Sequence, residues 1–523
     1  MRPTFLGFES AKRGIMAHQK ALDITGHNLN NVNTPGYTRQ RVDFVSVSPS
    51  TYRQRLAYSR TDYMGQGVAI SGVAQTRDKF LDKRFRDEYG DVGYYDQYSA
   101  IMSDIESALD EFESDTGIKN AIKEIYTSLN NFSINADSTT HANIVATAFK
   151  NMTQVLHQFN TKLDNVAEQQ KYSLEIAVGD VNDMLRKVAE LNKTISEDIG
   201  TIGTQGDGSY GSNELLDERN MLLDELARYA NIDVKENTDS SVTIKMNGHT
   251  VVDGKDYENI NYQRNNNGTV SLSWQSTGKN VNLATGALKA SVDLINGRGP
   301  GAISSNEAVD KGVLYYKDRI NSFASTFASV MNKIIPETNA DGNIMTDASG
   351  NIIYKTLLGA RTQATDAAGN PIEGEYVTST SIPTTAENIS LSDEWIKDSS
   401  YIIFKDGDKA PTYINQMINA LTKDSITFNN RGDVFTGTFE DFINDYVQTY
   451  GAEGKYSIGR FEASAAIADD LLNRRDSISG INPDEETSAM LMYNKSYQAA
   501  SRLMTTLDEA LDILINRTGL VGR

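Results

Sequence analysis

The sequence predicts a multidomain α+β chain, with paired N- and C-terminal coiled-coil helices, an elongated helical-bundle body and β-rich inserted subdomains. Three observations predict it. Near the C-terminus, Met490, Tyr493, Tyr497, Ala500, Met504, Leu507, Leu511 and Leu514 follow a 3-4-3-4-3-4-3 spacing, the seam of a heptad helix. Near the N-terminus, Phe8, Ile15, Leu22 and Leu29 recur every seventh residue. Between these ends, long stretches of helical period give way twice to turn-rich or alternating segments, near 231–295 and 336–384.

In chain order, the first helix carries Ala11, His18, Thr25 and Val32 at the seam positions between its four large apolar residues. Half of that seam is small or polar, so the helix is marginal alone. The C-terminal heptad is its natural partner. The segment Asn28-Leu29-Asn30-Asn31-Val32-Asn33-Thr34-Pro35-Gly36-Tyr37 should end the helix. Asparagine competes for backbone hydrogen bonds, and Pro35-Gly36 fits the centre of a type II turn. Residues 38–80 read as extended or irregular.

Residues 95–230 read as mostly helical. Ile101, Ile105, Ala108 and Phe112 mark one helix, and Ile118, Ile122, Ile125 and Leu129 the next. A long helix runs from about 141 to 199, with Leu174, Val178, Val181, Leu185, Val188 and Ile195 in near-heptad register, as expected of an intramolecular core. Beyond a Gly-rich loop at 200–212, Leu215, Leu222, Leu226 and Tyr229 mark another amphipathic helix. At Ile232 the period changes to two: Val242, Ile244 and Met246 alternate before the turn Asn247-Gly248, and Val270, Leu272 and Trp274 alternate again, which are hairpin signals. Helix returns at 312–335, near 390–396, at 411–422 and from Phe439 onward. Pro483 with Asp484, Glu485 and Glu486 suits the start of the last helix, and Arg517 and Gly519 its end.

Four units result. Residues 1–50 with 482–523 form a terminal helical polymerisation domain. Residues 51–230, 296–335 and 385–481 form a mainly helical body. Residues 231–295 form a β-rich subdomain, and 336–384 a small β-rich insertion. The nesting places both termini at one end of an elongated molecule. At ~100–200 residues per domain, 523 residues accommodate such a plan.

Composition excludes several functions. A net charge of -20 disfavours nucleic acid and anionic membrane surfaces. With no cysteine there is no disulfide, thiolate nucleophile or Cys-based zinc site. No apolar run approaches the ~20 residues needed to span a bilayer, and the first residues lack a cleavable signal pattern. The five histidines, His18, His27, His141, His157 and His249, make no HExxH motif or ligand-spaced cluster. The glycine-rich loops complete neither a P-loop nor a dinucleotide fingerprint. Three Asp-Gly-Asn-type segments, at 341–343, 347–351 and 366–370, lack EF-hand spacing and read as turns. No catalytic residue, cofactor or metal site is expected.

Two motifs carry a resemblance. Gly26 to Gln40, with Asn28, Asn31, Thr34, Pro35, Gly36, Tyr37, Arg39 and Gln40 at its informative positions, resembles the N-terminal signature of flagellar rod, hook and hook-associated proteins. Its Thr-Pro-Gly-Tyr-x-Arg-Gln form is similar to hook-associated proteins of the FlgK type; rod and hook proteins usually lack the Arg-Gln continuation. Ser479-Gly480-Ile481-Asn482-Pro483-Asp484-Glu485-Glu486 followed by Tyr493 and Tyr497-Gln498-Ala499-Ala500 resembles that family's C-terminal motif, and Leu215-Leu216-Asp217-Glu218-Arg219-Asn220 an internal one. The resemblance implies a non-enzymatic motility protein, secreted through flagellar type III export without a cleaved signal. It would assemble outside the cell at the hook–filament junction. Implied partners are copies of itself, hook protein, the second hook-associated junction protein, and an export chaperone on the C-terminal helix. A hook or distal rod protein is the alternative within the class. A secreted adhesin or surface-layer protein, and a peptidoglycan hydrolase, are alternatives outside it.

Overall fold

The computed structural model describes residues 6–47, 65, 67–109, 117–202, 212–304, 306–339, 343–365, 371–405 and 409–517. Phe112, most of the loop at 200–212, Asp341-Gly342, the turn at 366–370 and Gly519 lie outside the described residues.

The first helix, α1, spans Leu6–Asn30. The antiparallel strands β1 (Gln40–Ser46) and β2 (Val68–Gln75) follow, within the stretch read as extended or irregular. Helix α2 (Lys79–Leu109) begins well ahead of the apolar pattern near 95. Its first half packs partly through side chains, Phe85, Tyr89 and Val92 against Ala468, Leu471 and Leu472, and partly through backbone at two glycines. A Cβ on Gly93 would overlap the carbonyl of Arg228, and one on Gly90 would lie 3.0 Å from Thr285.

Helices α3 (Ile118–Ile134), α4 (Thr139–Ile202) and α5 (Asn213–Tyr229) come next. With 64 residues, α4 is about 96 Å long at ~1.5 Å per residue, and it is the spine of the body. Strands β3 (Ile232–Glu236), β4 (Val242–Met246), β5 (His249–Asp253) and β6 (Asp256–Tyr257) form a four-stranded antiparallel sheet in that order. Its β4–β5 turn is Asn247-Gly248, both at positive φ (45° and 85°), as a type I′ turn requires. Strands β7 (Ile260–Arg264) and β8 (Val270–Trp274) make a second hairpin.

Helices α6 (Ala287–Ile295) and α7 (Val313–Met331) lead to a sheet of β9 (Leu358–Thr365), β10 (Pro371–Ser379) and β11 (Ile389–Leu391), ordered β10-β9-β11. This sheet extends past residue 384, because β11 is its third strand. It is not walled off from the body: Leu357, Leu358 and Ala360 are fully buried, the first two within the main core. Then come α8 (Asp393–Lys397), α9 (Ala410–Leu421) and the hairpin β12 (Ile426–Asn430) and β13 (Asp433–Gly437). Helix α10 (Phe439–Ser479) opens on a capping box between Thr438 and Asp441. Helix α11 (Pro483–Asp512) closes the described chain with one π turn, Ile513–Arg517.

Two cores share the spine. One packs the first half of α4 against α3, α7, α9 and α10, around Phe323, Phe327, Phe428, Phe439 and Phe442. The other packs Leu174, Val178, Val181, Leu185 and Val188 of its second half against α5, α6 and strands β3–β8. Each buried Phe or Leu contributes about 1.5–3 kcal/mol relative to exposure, so the body has its own source of stability.

Candidate functional site

The first and last helices lie antiparallel. A Cβ on Gly7 would sit 3.2 Å from Leu507, and one on Gly14 3.6 Å from the Cβ of Ala500. The His18 ring lies 6.3 Å from that of Tyr493, and Asn28 bonds Glu486. The contact line on α1 is therefore drawn by small residues. Ala11, Ala17, Ala21, Thr25 and Asn28 are its buried positions, and Gly7 and Gly14 let the backbones approach.

The four large apolar residues expected at the seam flank this line. Phe8 joins Glu9, Lys12, Met504 and Leu511 around an open cleft of about 300 Å³. Ile15, Leu22 and Leu29 are half-buried. On α11, Met490, Tyr493, Tyr497, Ala500, Met504, Leu507 and Leu511 are each half-buried, and Leu514 is exposed. Leu491, Met492 and Leu503 are exposed on its other faces. The pair is thus exposed on its outer sides, and β1 packs on it through Phe44, whose ring lies 6.0 Å from His18 and 6.2 Å from Tyr493. Burial lowers the pKa of His18 from its ordinary value, since charging the imidazole there costs hydration, and its Nδ1 has no hydrogen-bond partner among the described residues.

The signature turn fastens one end of the pair. Thr34 to Tyr37 closes a turn through a 3.2 Å backbone bond, with Gly36 at φ +77°, the value that position i+2 of a type II turn demands. A side chain at Gly36 would also overlap Met221 of α5. Pro35 is exposed. Asn31 donates to the His27 carbonyl at 2.9 Å, and Thr34 donates to Asn31 at 3.1 Å.

Asn28 is the hub. Its amide nitrogen donates to the Gln40 carbonyl (2.8 Å) and to Glu486 (3.1 Å), while its oxygen accepts from Tyr37 Oη (2.8 Å) and the Gln40 backbone (3.0 Å). All four hydrogen-bonding sites of a buried amide are thereby met. The Tyr37 hydroxyl also lies 2.9 Å from His27 Nδ1. Burial pushes its pKa well above the usual phenol range, with Asp217, Glu214 and Glu486 adding to the shift.

Arg39 reaches across to the last helix. Its Nε is 2.7 Å from Glu486 and its Nη1 3.1 Å from Glu485, while its backbone N–H donates to the Ser479 carbonyl at 2.9 Å. The Glu486 side chain is only 3% exposed. It was read above as a helix-dipole acid, and in the fold it is the buried anchor of the pair. Gln40 reaches Glu214 at 3.4 Å, and the Thr38 backbone donates to Asp217 at 3.2 Å. The three sequence motifs, from both ends and the middle of the chain, therefore meet at one polar clasp. Gln75, Arg77, Glu214 and Met221 complete it, with Ser479 of the C-terminal motif. Sequence reasoning gave the first four no part in a shared site; only the nearness of Glu214 and Met221 to the internal motif hinted at it.

The arrangement holds no catalytic constellation. Among the described residues no group of three or more His, Asp or Glu side chains could hold a metal, and no helix is long and apolar enough to cross a membrane. What the arrangement can do is lock two distant chain segments in one register and present their outer faces.

The fold is a helical body with small inserted sheets, closed by its own first and last helices. Residues 102–347 match the family described as flagellar hook-associated protein FlgK helical domain, residues 8–38 that described as flagella basal body rod protein, and residues 475–517 that described as flagellar basal body rod FlgEFG protein C-terminal. Over 102–347, a little under half of its length, the chain is thus similar to hook-associated proteins of the FlgK type, and its two ends are similar to flagellar rod proteins. It is 28% identical to flagellar hook-associated protein 1 of Bacillus subtilis (strain 168) over 100% of both chains. It is 22% identical to the protein of the same name from Salmonella typhimurium, over 97% of this chain and 98% of the relative. The fold is similar to that of the flagellar hook junction protein FlgK from Burkholderia pseudomallei, with a TM-score of 0.55 and 11% identity over 76% of this chain and 100% of that one.

Proposed function

We propose that this chain is a structural subunit of the bacterial flagellum that forms the junction between hook and filament, and that it self-assembles through its paired terminal helices after type III export. One observation carries this reading. The two segments matched by flagellar rod families, 8–38 and 475–517, are the two that pack together, and the hook-associated helical domain lies between them.

In this reading residues 1–50 with 482–523 are the polymerisation unit. The small-residue line and the half-buried seam from Met490 to Leu511 set the pair, while Phe8, Ile15, Leu22, Leu29 and Leu514 meet neighbouring subunits. The signature residues Asn28 to Gln40 fix the register. Copies of the chain lie alongside, with hook protein on one side and the second hook-associated junction protein on the other. Before assembly, the apolar residues of α11 would form a helix-in-groove ligand for an export chaperone.

Electron microscopy of a deletion strain tests the reading. Hooks without filaments, with flagellin released to the medium, are expected. Normal filaments would refute it, and rods without hooks would favour a hook or distal rod role instead.

A further inference from the structure

Away from the end pair, one cavity of the body is lined by a buried arginine that no carboxylate touches among the described residues. It lies where α2, α5 and the β3–β4 hairpin meet, has a volume of about 260 Å³, and carries Arg77, Lys79, Lys83, Arg86 and Arg219 on its wall. Four of these five cations have carboxylate partners. Arg77 holds Asp82 through two bonds of 2.6 and 3.0 Å, and Arg86 holds Asp224 at 2.7 Å. Lys79 pairs with Glu236 and Lys83 with Asp233 at the mouth. The inner carboxylates are shared, since Arg475 also lies 2.5 Å from Asp224 and 3.9 Å from Asp82.

Arg219 has no carboxylate among the described residues. It is 4% exposed, its Nη1 donates to Asn192 (3.0 Å) and to the Ser240 carbonyl (2.6 Å), and its buried Nε meets no acceptor. Arg77, Arg86 and Arg475 share Asp82 and Asp224, whereas Glu236 and Asp239 act on Arg219 only at longer range. A desolvated guanidinium that no carboxylate touches is costly, and its field is focused by a low-dielectric wall. Burial pulls the Arg219 guanidinium down to about 10, with Arg86 and Arg77 pressing the same way against the opposing charge of Glu236.

We propose that this cavity binds a small oxyanion against Arg219, with Arg86 behind it and Lys79 and Lys83 closing the mouth. The chemistry is that of phosphate, sulfate or a carboxylate, which arginine recognises through parallel N–H donors. The ion would tie together α2, α4 (through Asn192), α5 and β4 directly beneath the clasp, because Gln75 and Arg77 belong to both. The inference stands on the cavity alone and does not depend on the flagellar role.

Calorimetric titration of the full chain with inorganic phosphate, and separately with acetate, tests it at an ionic strength held constant with sodium chloride. Saturable phosphate binding is expected, with a melting temperature that rises with phosphate concentration as linkage requires. Acetate binding of similar strength would identify a carboxylate as sufficient, and phosphate binding without it a tetrahedral anion. Arg219→Gln should weaken binding at least ~10-fold, from the loss of a charged donor pair. Lys79→Ala, whose side chain is largely exposed, should weaken it several-fold while leaving unfolding in chloride unchanged, so the test survives if Arg219→Gln does not fold. No saturable heat from the wild-type chain with either anion, or equal affinity in wild type and Lys79→Ala, would overturn the proposal.

Discussion

In the body, Phe323 and Phe327 are 0% exposed and Phe442 is 1% exposed. In the terminal pair, no apolar side chain larger than alanine is buried among the described residues. Both regions are helical, but they are held by different means. The body is fixed by aromatic volume packed at interior density. The pair is fixed by close backbone approach along glycine and alanine, and by a satisfied polar clasp at one end. Apolar burial supplies strength, whereas a buried Arg–Glu pair and a fully used amide supply register more than strength. The ends are thus precise in where they meet and weak in how firmly they hold, as expected of parts that must also join other subunits.

The contrast can be broken or sharpened. Phe442→Ala should cost about 3–5 kcal/mol, read as a lowered midpoint for the whole body in guanidinium. A loss as small as that of a half-buried seam residue would erase the distinction. Leu507→Asp places a charge against Gly7 and should unseat the pair at a cost of about 2–3 kcal/mol, with filament attachment lost in cells and the body's melting curve intact. Arg39→Ala leaves Glu486 buried beside Asn28 alone, a loss of about 2 kcal/mol. Hydrogen exchange should speed up in α1 and α11 and not in α4.

The Asp217 carboxyl offers a smaller, signed test. Burial holds its pKa above its ordinary 3.8, against hydrogen bonds from Thr38, the charge of Arg77 and the amide of Gln75. Above 3.8 the folded chain therefore keeps a proton that the unfolded chain has released, so this group's contribution to stability falls as pH rises through that window. Asp217→Asn should flatten the slope in denaturant melts taken across it. Smallest of all is Gly14→Ala. Its new methyl would meet Ala500 at an ordinary 3.6 Å, and helix propensity should gain up to ~1 kcal/mol. A pair loosened by this change, seen as faster proteolysis of α1, would mean that the helices sit closer than described.

Element types were legible where apolar residues carried the contact. The heptad of α11 includes Tyr493, Ala500 and Leu507, which lie against α1, whereas its last member, Leu514, is exposed. The matching line on α1 was half legible. Ala11, His18 and Thr25 already stood at the seam positions, but Gly7, Gly14 and Ala21 add almost nothing to a hydrophobic period, so the eye falls on Phe8, Ile15, Leu22 and Leu29 one position along. In the first half of α2, Gly90 and Gly93 interrupt the apolar pattern in the same way, beside the packed Phe85 and Tyr89. The clasp was half visible. Its three motifs each stood out, but nothing in a one-dimensional pattern says that Glu486 answers Arg39, and an acid in a first helical turn has a sufficient local explanation in the dipole.

The bond between Asn28 and Glu486 spans 458 positions of sequence. A chain stopped short of Glu486 leaves the Asn28 amide and the Arg39 guanidinium without their shared carboxylate. Synthesis must therefore pass that position before the first helix can be held in register.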